Sequence, residues 1–266
     1  MSFRGGSAAT ASPPNRKDVQ LKLRRQRIHM IASRFHKWLA LIIGFQLILW
    51  FSSGALMSFL SIDKVHGDHL VDRKTVAAIP KSVPLADLNT VLRIAGSDAE
   101  SATVRVILGR PVFEVSTRSG TKLFDGATGT AIPFVTAAQA KTIADTAWIG
   151  AGHPASTTER IKAESTEYRG ALPVWRVAFA DADHTRVFVT ETGRIAAVRT
   201  GTWRLYDFFW GLHIMDWSNH ENFNTWWLLA FALGGLTLGL AGTVLLAMRW
   251  PLRRRRARPL SRAQSL

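Results

Sequence analysis

The 266-residue chain contains no cysteine. That removes thiolate zinc sites, covalently attached haem, thiol redox chemistry and disulfide staples together, so a folded domain here must be held by its apolar core. Several catalytic signatures are missing as well. A zinc-peptidase helix needs two imidazoles one turn apart plus a carboxylate, and the nearest string, His220-Glu221-Asn222-Phe223-Asn224, lacks the second histidine. No G-x-S-x-G elbow, phosphate-binding loop or G-x-G-x-x-G occurs. Acids are scarce, 19 against 34 Lys and Arg. Those in the middle of the chain, such as Asp181, Asp183 and Glu191, fall in turn-like strings where a carboxylate caps its own backbone rather than pairing for acid–base work. Hydrolase and nucleotide-binding readings lose their support.

What is present begins with charge. A net charge of +15 would suit a nucleic-acid binder, but its distribution does not. Residues 1–37 carry nine bases against the single acid Asp18, and residues 249–266 carry seven bases and no acid, which together account for the whole excess. The middle is neutral, and no nucleic acid is expected as partner. Each basic tail abuts a run without a charged side chain, Trp38 to Ile62 and Asn222 to Met248. About 20 apolar residues cross a hydrocarbon core of roughly 30 Å, so both runs qualify as spans, placed at 36–62 and 224–249. The first run is too long for a signal peptide and no A-x-A site follows it. Arg and Lys beside a span resist translocation, which predicts both termini in the cytoplasm and residues 63–200 outside it. Trp38 and Trp250 would mark the inner ends, Trp226 and Trp227 the outer end. The segments 1–30 and 250–266 read as basic tails, the first disordered, and membrane lipids are the expected surroundings.

Between the spans the texture changes to short strands and turns, which predicts an α+β domain. Comparing it with itself exposes a duplication. RPVFEV (Arg110 to Val115) and TKLFDGATGT (Thr121 to Thr130) are answered by LPVWRV (Leu172 to Val177) and TRVFVTETGR (Thr185 to Arg194). The units cover about 84–133 and 136–200, each one helix followed by strands. Leu85, Leu88, Val91, Leu92 and Ala95 have helical spacing, and the second helix is expected at Ala137 to Trp148. Strands are expected at 103–108, 112–117, 122–125, 160–167, 174–180 and 186–190. Trp175, Val177 and Phe179 alternate with Arg176, which implies one buried and one wet face.

The duplicated "PVxxV, turn, xxFxxxxTG" unit behind a helix resembles the PepSY domain, and the flanking spans resemble the PepSY-associated transmembrane proteins of bacteria. The resemblance implies a multi-pass protein of the bacterial inner membrane with a tandem PepSY-like periplasmic domain. With no catalytic motif, the expected role is a non-enzymatic binding or regulatory module, without cofactor, for a membrane or periplasmic protein partner. Two alternatives stay open: an electron-transfer component related to ferric-siderophore reductases, carrying haem b, and a peptidase-inhibiting module.

Three sets of residues stand out. Trp203, Tyr206, Trp210, His213, Trp217 and His220 recur at helical steps, predicting an aromatic helix over 202–221 whose Trp203, Tyr206, Trp210 and Trp217, with Trp226 and Trp227, lie at the membrane interface. Gly235 and Gly239 form G-x-x-x-G in the second span, suited to close packing on the first span or on a second copy in a homodimer. His36 resembles the histidine that opens the first helix of PepSY-associated reductases and His213 precedes the last, so this pair is the haem-ligand candidate. Straight spans would put the two about 30 Å apart. His66, His69, His213 and His220 flank the spans on one side and form the candidate metal set.

Overall fold

The structure, a computed structural model, describes residues 16–75 and 77–249, with side chains complete from 37 to 243 apart from residue 76. The tail at 250–266 and the first part of the tail at 1–30 lie outside the described residues. The chain divides into two compact units, one of residues 51–223 and one formed by the segments on either side of it.

Helix α1 runs from Arg16 to Phe59. It therefore begins inside the segment expected to be disordered up to residue 30. The reason is composition: from Lys17 onward the sequence is rich in Leu, Arg, Lys and Gln, all strong helix formers, and holds neither Pro nor Gly before Gly44. Helix α6 covers Trp226–Arg249. Lys37–Phe59 (23 residues) and Trp226–Thr243 (18 residues) are long and apolar enough to cross a membrane. In the flanking unit α6 meets α1 through small residues: a Cβ on Gly234 would lie 2.7 Å from Ile43 Cδ1, and one on Gly235 3.3 Å from Leu47 Cδ2. Gly239 faces open space, so only half of the G-x-x-x-G takes part in that contact.

The unit of residues 51–223 is α+β, with two antiparallel four-stranded sheets in sequential order. The first joins β1 (Ala99–Ile107), β2 (Arg110–Thr117), β3 (Gly120–Asp125) and β4 (Ala131–Ile132). The second joins β5 (Ser156–Ile161), β6 (Val174–Phe179), β7 (Arg186–Thr190) and β8 (Ile195–Arg199). Strands β4 and β8 escaped the sequence reading because they are short and their apolar residues do not alternate. The expected strand at 160–167 instead ends at Ile161, because residues 165–168 turn back on themselves through paired Ser165 and Tyr168 backbone groups.

A helix covers one face of each sheet. α3 (Leu88–Ala95) starts where Asp87 accepts a hydrogen bond from Thr90 N, and it buries Val91 and Ala95 on Phe113, Val115 and Phe124. α4 (Ala137–Ala147) starts with a capping box of Thr136 and Gln139, and Ala140 and Ala144 lie on Val177, Phe179, Val187 and Val189. Alanine at both positions lets helix and sheet approach closely. Trp175 stays half-buried at the rim of this core, its indole N–H donating to Val135 O at 2.9 Å. The far side of the second sheet is wet only at one end, where Arg176 pairs with the exposed Glu159; at the other, Val174, Phe188 and Ala197 are covered by Tyr168, which stacks on Phe188 at 4.9 Å. The two sheets are clasped where Glu114 takes Arg105 at 2.6 Å and Arg194 at 3.1 Å, while Arg105 also donates to Thr192 O.

Two short elements remain. α2 (Ile62–His66) ends on Gly67, which has φ 73 and whose missing Cβ would lie 2.6 Å from Val198 Cγ1. α5 spans Gly201–Ile214.

Candidate functional site

The densest polar contacts gather around α5 and the loop that follows it. Thr200, fully buried, opens the helix by accepting from Trp203 N at 3.1 Å. Met215 closes it in the left-handed conformation, φ 55, with capping bonds to the Gly211 and Leu212 carbonyls. The expected helix over 202–221 thus stops at Ile214, and Trp217 and His220 lie outside it. The cause is Asp216. Its buried carboxylate accepts the backbone N–H groups of Asn222 and Glu221 at 3.0 Å, Ser218 at 3.2 Å and Asn219 at 3.3 Å, with the Ser218 hydroxyl at 3.1 Å. A continued helix would leave those donors to its own carbonyls and the carboxylate unbonded. The same bonds hold the Asp216 carboxyl well below the ordinary carboxylate range.

This turn sends the chain back along α5. His220 Nδ1 meets Asp207 Oδ2 at 2.7 Å, and Trp210 Nε1 donates to His220 O at 3.0 Å. The imidazole rests on Gly211, where a Cβ would come within 2.4 Å of His220 Cδ2 and 2.6 Å of Nε2. Position 211 must therefore be glycine. His220 itself has φ 56, a conformation that costs a non-glycine residue roughly 1–2 kcal/mol and persists because its neighbours hold it.

A second knot centres on Glu167. Its carboxylate accepts Arg186 Nη1 and Arg204 Nε, both at 2.8 Å, and its carbonyl accepts Arg199 Nε at 2.7 Å. Burial raises the Glu167 pKa, but the two guanidinium bonds outweigh it and leave the group below its ordinary value. Arg204 also donates to the Asp183 and His184 carbonyls, and Arg199 lies over the Trp203 ring at 4.2 Å. Burial lowers the Arg199 pKa, opposed by Asp207 and Glu167. Thr166, Glu167, Trp203, Arg204, Asp207, Phe208 and His220 line a cavity of about 190 Å³.

The chemistry open to this cavity is narrow. A carboxylate on Nδ1 is how enzymes orient a general base, yet the Nε2 edge that would meet a substrate lies against Gly211. Glu167 is occupied by two guanidinium groups. The arrangement holds the segments before and after α5 together and does not present a free base.

No family model, no curated protein and no solved structure matches the chain.

The histidines selected from the sequence are not brought together. His66 and His69 are exposed, His213 is bonded to Ser53 Oγ through Nδ1 at 2.9 Å, and His220 is bonded to Asp207. Among the described residues no three His, Asp or Glu side chains gather as a metal site. His36 falls in α1, and its side chain lies outside the described residues. The Nδ1–Cε1 edge of the His213 ring is turned to α1, its Cε1 3.4 Å from where a Cβ on Gly54 would be. In the aromatic set, Trp203, Tyr206 and Trp210 are half-buried, Tyr206 and Trp210 stack at 6.4 Å, and Trp217, Trp226 and Trp227 are exposed. Asp207, Asp216, Glu167 and Arg199 were not singled out by the sequence reading. Only Asp216 carries a local signal: Asp followed by Ser218 and Asn219 is a turn-forming string.

Proposed function

We propose that the chain is a PepSY-like integral membrane protein of the bacterial inner membrane, with its α+β unit outside the cytoplasm as a non-enzymatic module that binds or regulates a partner. The observation that carries this reading is the layout. The two sheets lie in sequence between the two described helices that are long and apolar enough to span, and residues 1–37 and 249–266, toward the chain-terminal ends of those helices, carry the whole basic excess. The PepSY-like duplication draws support from matching local bonds. The residue before each helix cap donates to the turn after the third strand of its own sheet, Ala86 N to Gly126 O and Val135 N to Glu191 O, both at 2.8 Å. The residues four and eight places after each cap, Val91 and Ala95, Ala140 and Ala144, are the buried ones. The occupied state of Glu167 and His220 favours binding over catalysis.

A reporter that is active only outside the cytoplasm should work when fused at the exposed turn near Gly152 and fail when fused after Leu266. Activity from the Leu266 fusion overturns the topology. The rival reading, haem b on His36 and His213, rests on the resemblance alone; a stoichiometric Soret band in the detergent-purified protein, lost in His213→Ala, would establish it.

A further inference from the structure

α5 turns its charged side chains, Arg204 and Asp207, and its half-buried aromatics toward the rest of its unit and leaves one face bare. Leu205 and Phe208, about one turn apart, are 46 % and 60 % exposed. The C-terminal end of the helix is fixed against α1: His213 Nδ1 bonds Ser53 Oγ at 2.9 Å, and Gly54 supplies the gap for the ring. Ser53 belongs to the apolar stretch Lys37–Phe59. It precedes the end of that stretch by six residues, about 9 Å along the axis at 1.5 Å per residue. The neighbouring α1 surface is equally bare and apolar, with Phe51 73 % and Phe59 89 % exposed.

We infer that α5 is a third membrane-embedded element, lying at the outer headgroup–acyl boundary with Leu205 and Phe208 turned to the acyl chains and the exposed polar loop that follows it, Ser218 to Asn222, in the hydrated headgroup layer. The inference rests on the reading that α1 crosses the membrane. Three observations favour lipid as the occupant. The bare face of α5 and the bare surface of α1 are joined at the His213–Ser53 contact. The implied depth matches the roughly 5–10 Å to which interfacial helices bury their apolar faces. A polar group at that depth needs a partner within the protein, and His213 has one in Ser53. The lipid-facing residues are thus Leu205 and Phe208, not the Trp203, Tyr206 and Trp210 stripe, which faces inward.

The chain has no cysteine, so single spin labels can be placed directly. Full-length protein carrying Leu205→Cys, Phe208→Cys, Phe51→Cys or the exposed strand position Thr103→Cys is reconstituted in phospholipid vesicles, and collision of each label with oxygen and with a water-soluble nickel complex is measured. The expected result is high oxygen and low nickel accessibility at positions 205, 208 and 51, with the reverse at 103. High nickel accessibility at 205 and 208 with a lipid signature at 51 overturns the embedding of α5 and leaves the span intact. Nickel accessibility at 51 as well removes the membrane reading and this inference with it. Low accessibility to both reagents at 205 and 208 assigns the face to a protein neighbour and also overturns the proposal.

Discussion

Replacing Asp216 by alanine removes one carboxylate and strands four backbone N–H groups and one hydroxyl at once. Hydrogen bonds to a charged acceptor contribute roughly 1.5–3 kcal/mol each when buried, but the residues that carry these donors are themselves exposed. Water can reach most of the freed N–H groups, so the sum is far below five full bonds. A loss of about 3 kcal/mol is the working figure, larger than the cost of a lost helix cap because the loop also holds His220 on Gly211 and Trp210. For a unit of this size 1 kcal/mol shifts the melting temperature by roughly 2–4 °C, so Asp216→Ala should melt about 6–12 °C lower than the parent. Thermal unfolding of the full-length protein in mild detergent, followed by tryptophan fluorescence, reads this directly. Asp216→Asn, which keeps one acceptor oxygen, should fall between the two. A melting temperature within about 2 °C of the parent for Asp216→Ala would mean that the loop is held by something other than this carboxylate, and the account of why α5 stops at Ile214 would be wrong.

Gly67→Ala combines a left-handed φ with a Cβ placed 2.6 Å from Val198 Cγ1, and should cost about 2–4 kcal/mol in the same melting assay; a neutral result would refute the close approach of the α2 cap to β8. Trp175→Phe keeps an aromatic ring but trims a half-buried side chain and loses the bond to Val135 O, so a loss of about 1–2 kcal/mol is expected. Phe113→Ala, at a site 3 % exposed, should cost roughly 3–5 kcal/mol, and the order of the two losses checks the register of β2 and β6. Acid should weaken the unit through Glu167, Asp68 and Asp216. The Asp68 carboxyl is held at about 2 by hydrogen bonds from Arg73 and Lys74, and the other two are also lowered from ordinary values of 4.5 for Glu and 3.8 for Asp. Groups with depressed folded-state values stabilise the fold above their ordinary values and lose that contribution as pH falls through the folded ones, so these three contribute a decline from about pH 4.5 downward and none between pH 6 and 8. In Glu167→Gln that acid decline should be shallower.

How far the sequence carries depends on whether a signal is periodic or convergent. α3 was legible because its apolar residues repeat with the period of a helix, the two apolar helices because each contains a long run without a charged side chain, and the strands Arg110–Thr117 and Arg186–Thr190 because their strings answer each other across the duplication. The same reasoning carried the aromatic stripe too far. Trp217 and His220 continue a helical spacing on paper, but Asp216 offers its backbone a better set of partners than another helical turn would, and spacing alone has no term for that competition. The wet face assigned to the second sheet holds only in part for a related reason. Arg176 and Glu159 do meet water, yet Tyr168 returns from a loop outside the strand pattern to cover Phe188 and Ala197. The polar knot around α5 was the least legible part. Glu167, Arg186, Arg199 and Arg204 belong to a loop, two strands and a helix, and each alone resembles an ordinary surface charge. What selects them is the tertiary cost of leaving any one unpaired, which no local window contains. The contact of His213 with Ser53 shows the same limit: the histidine was picked out as a ligand candidate from its place in the chain, while its partner, a serine 160 residues earlier, gave no sign of being one.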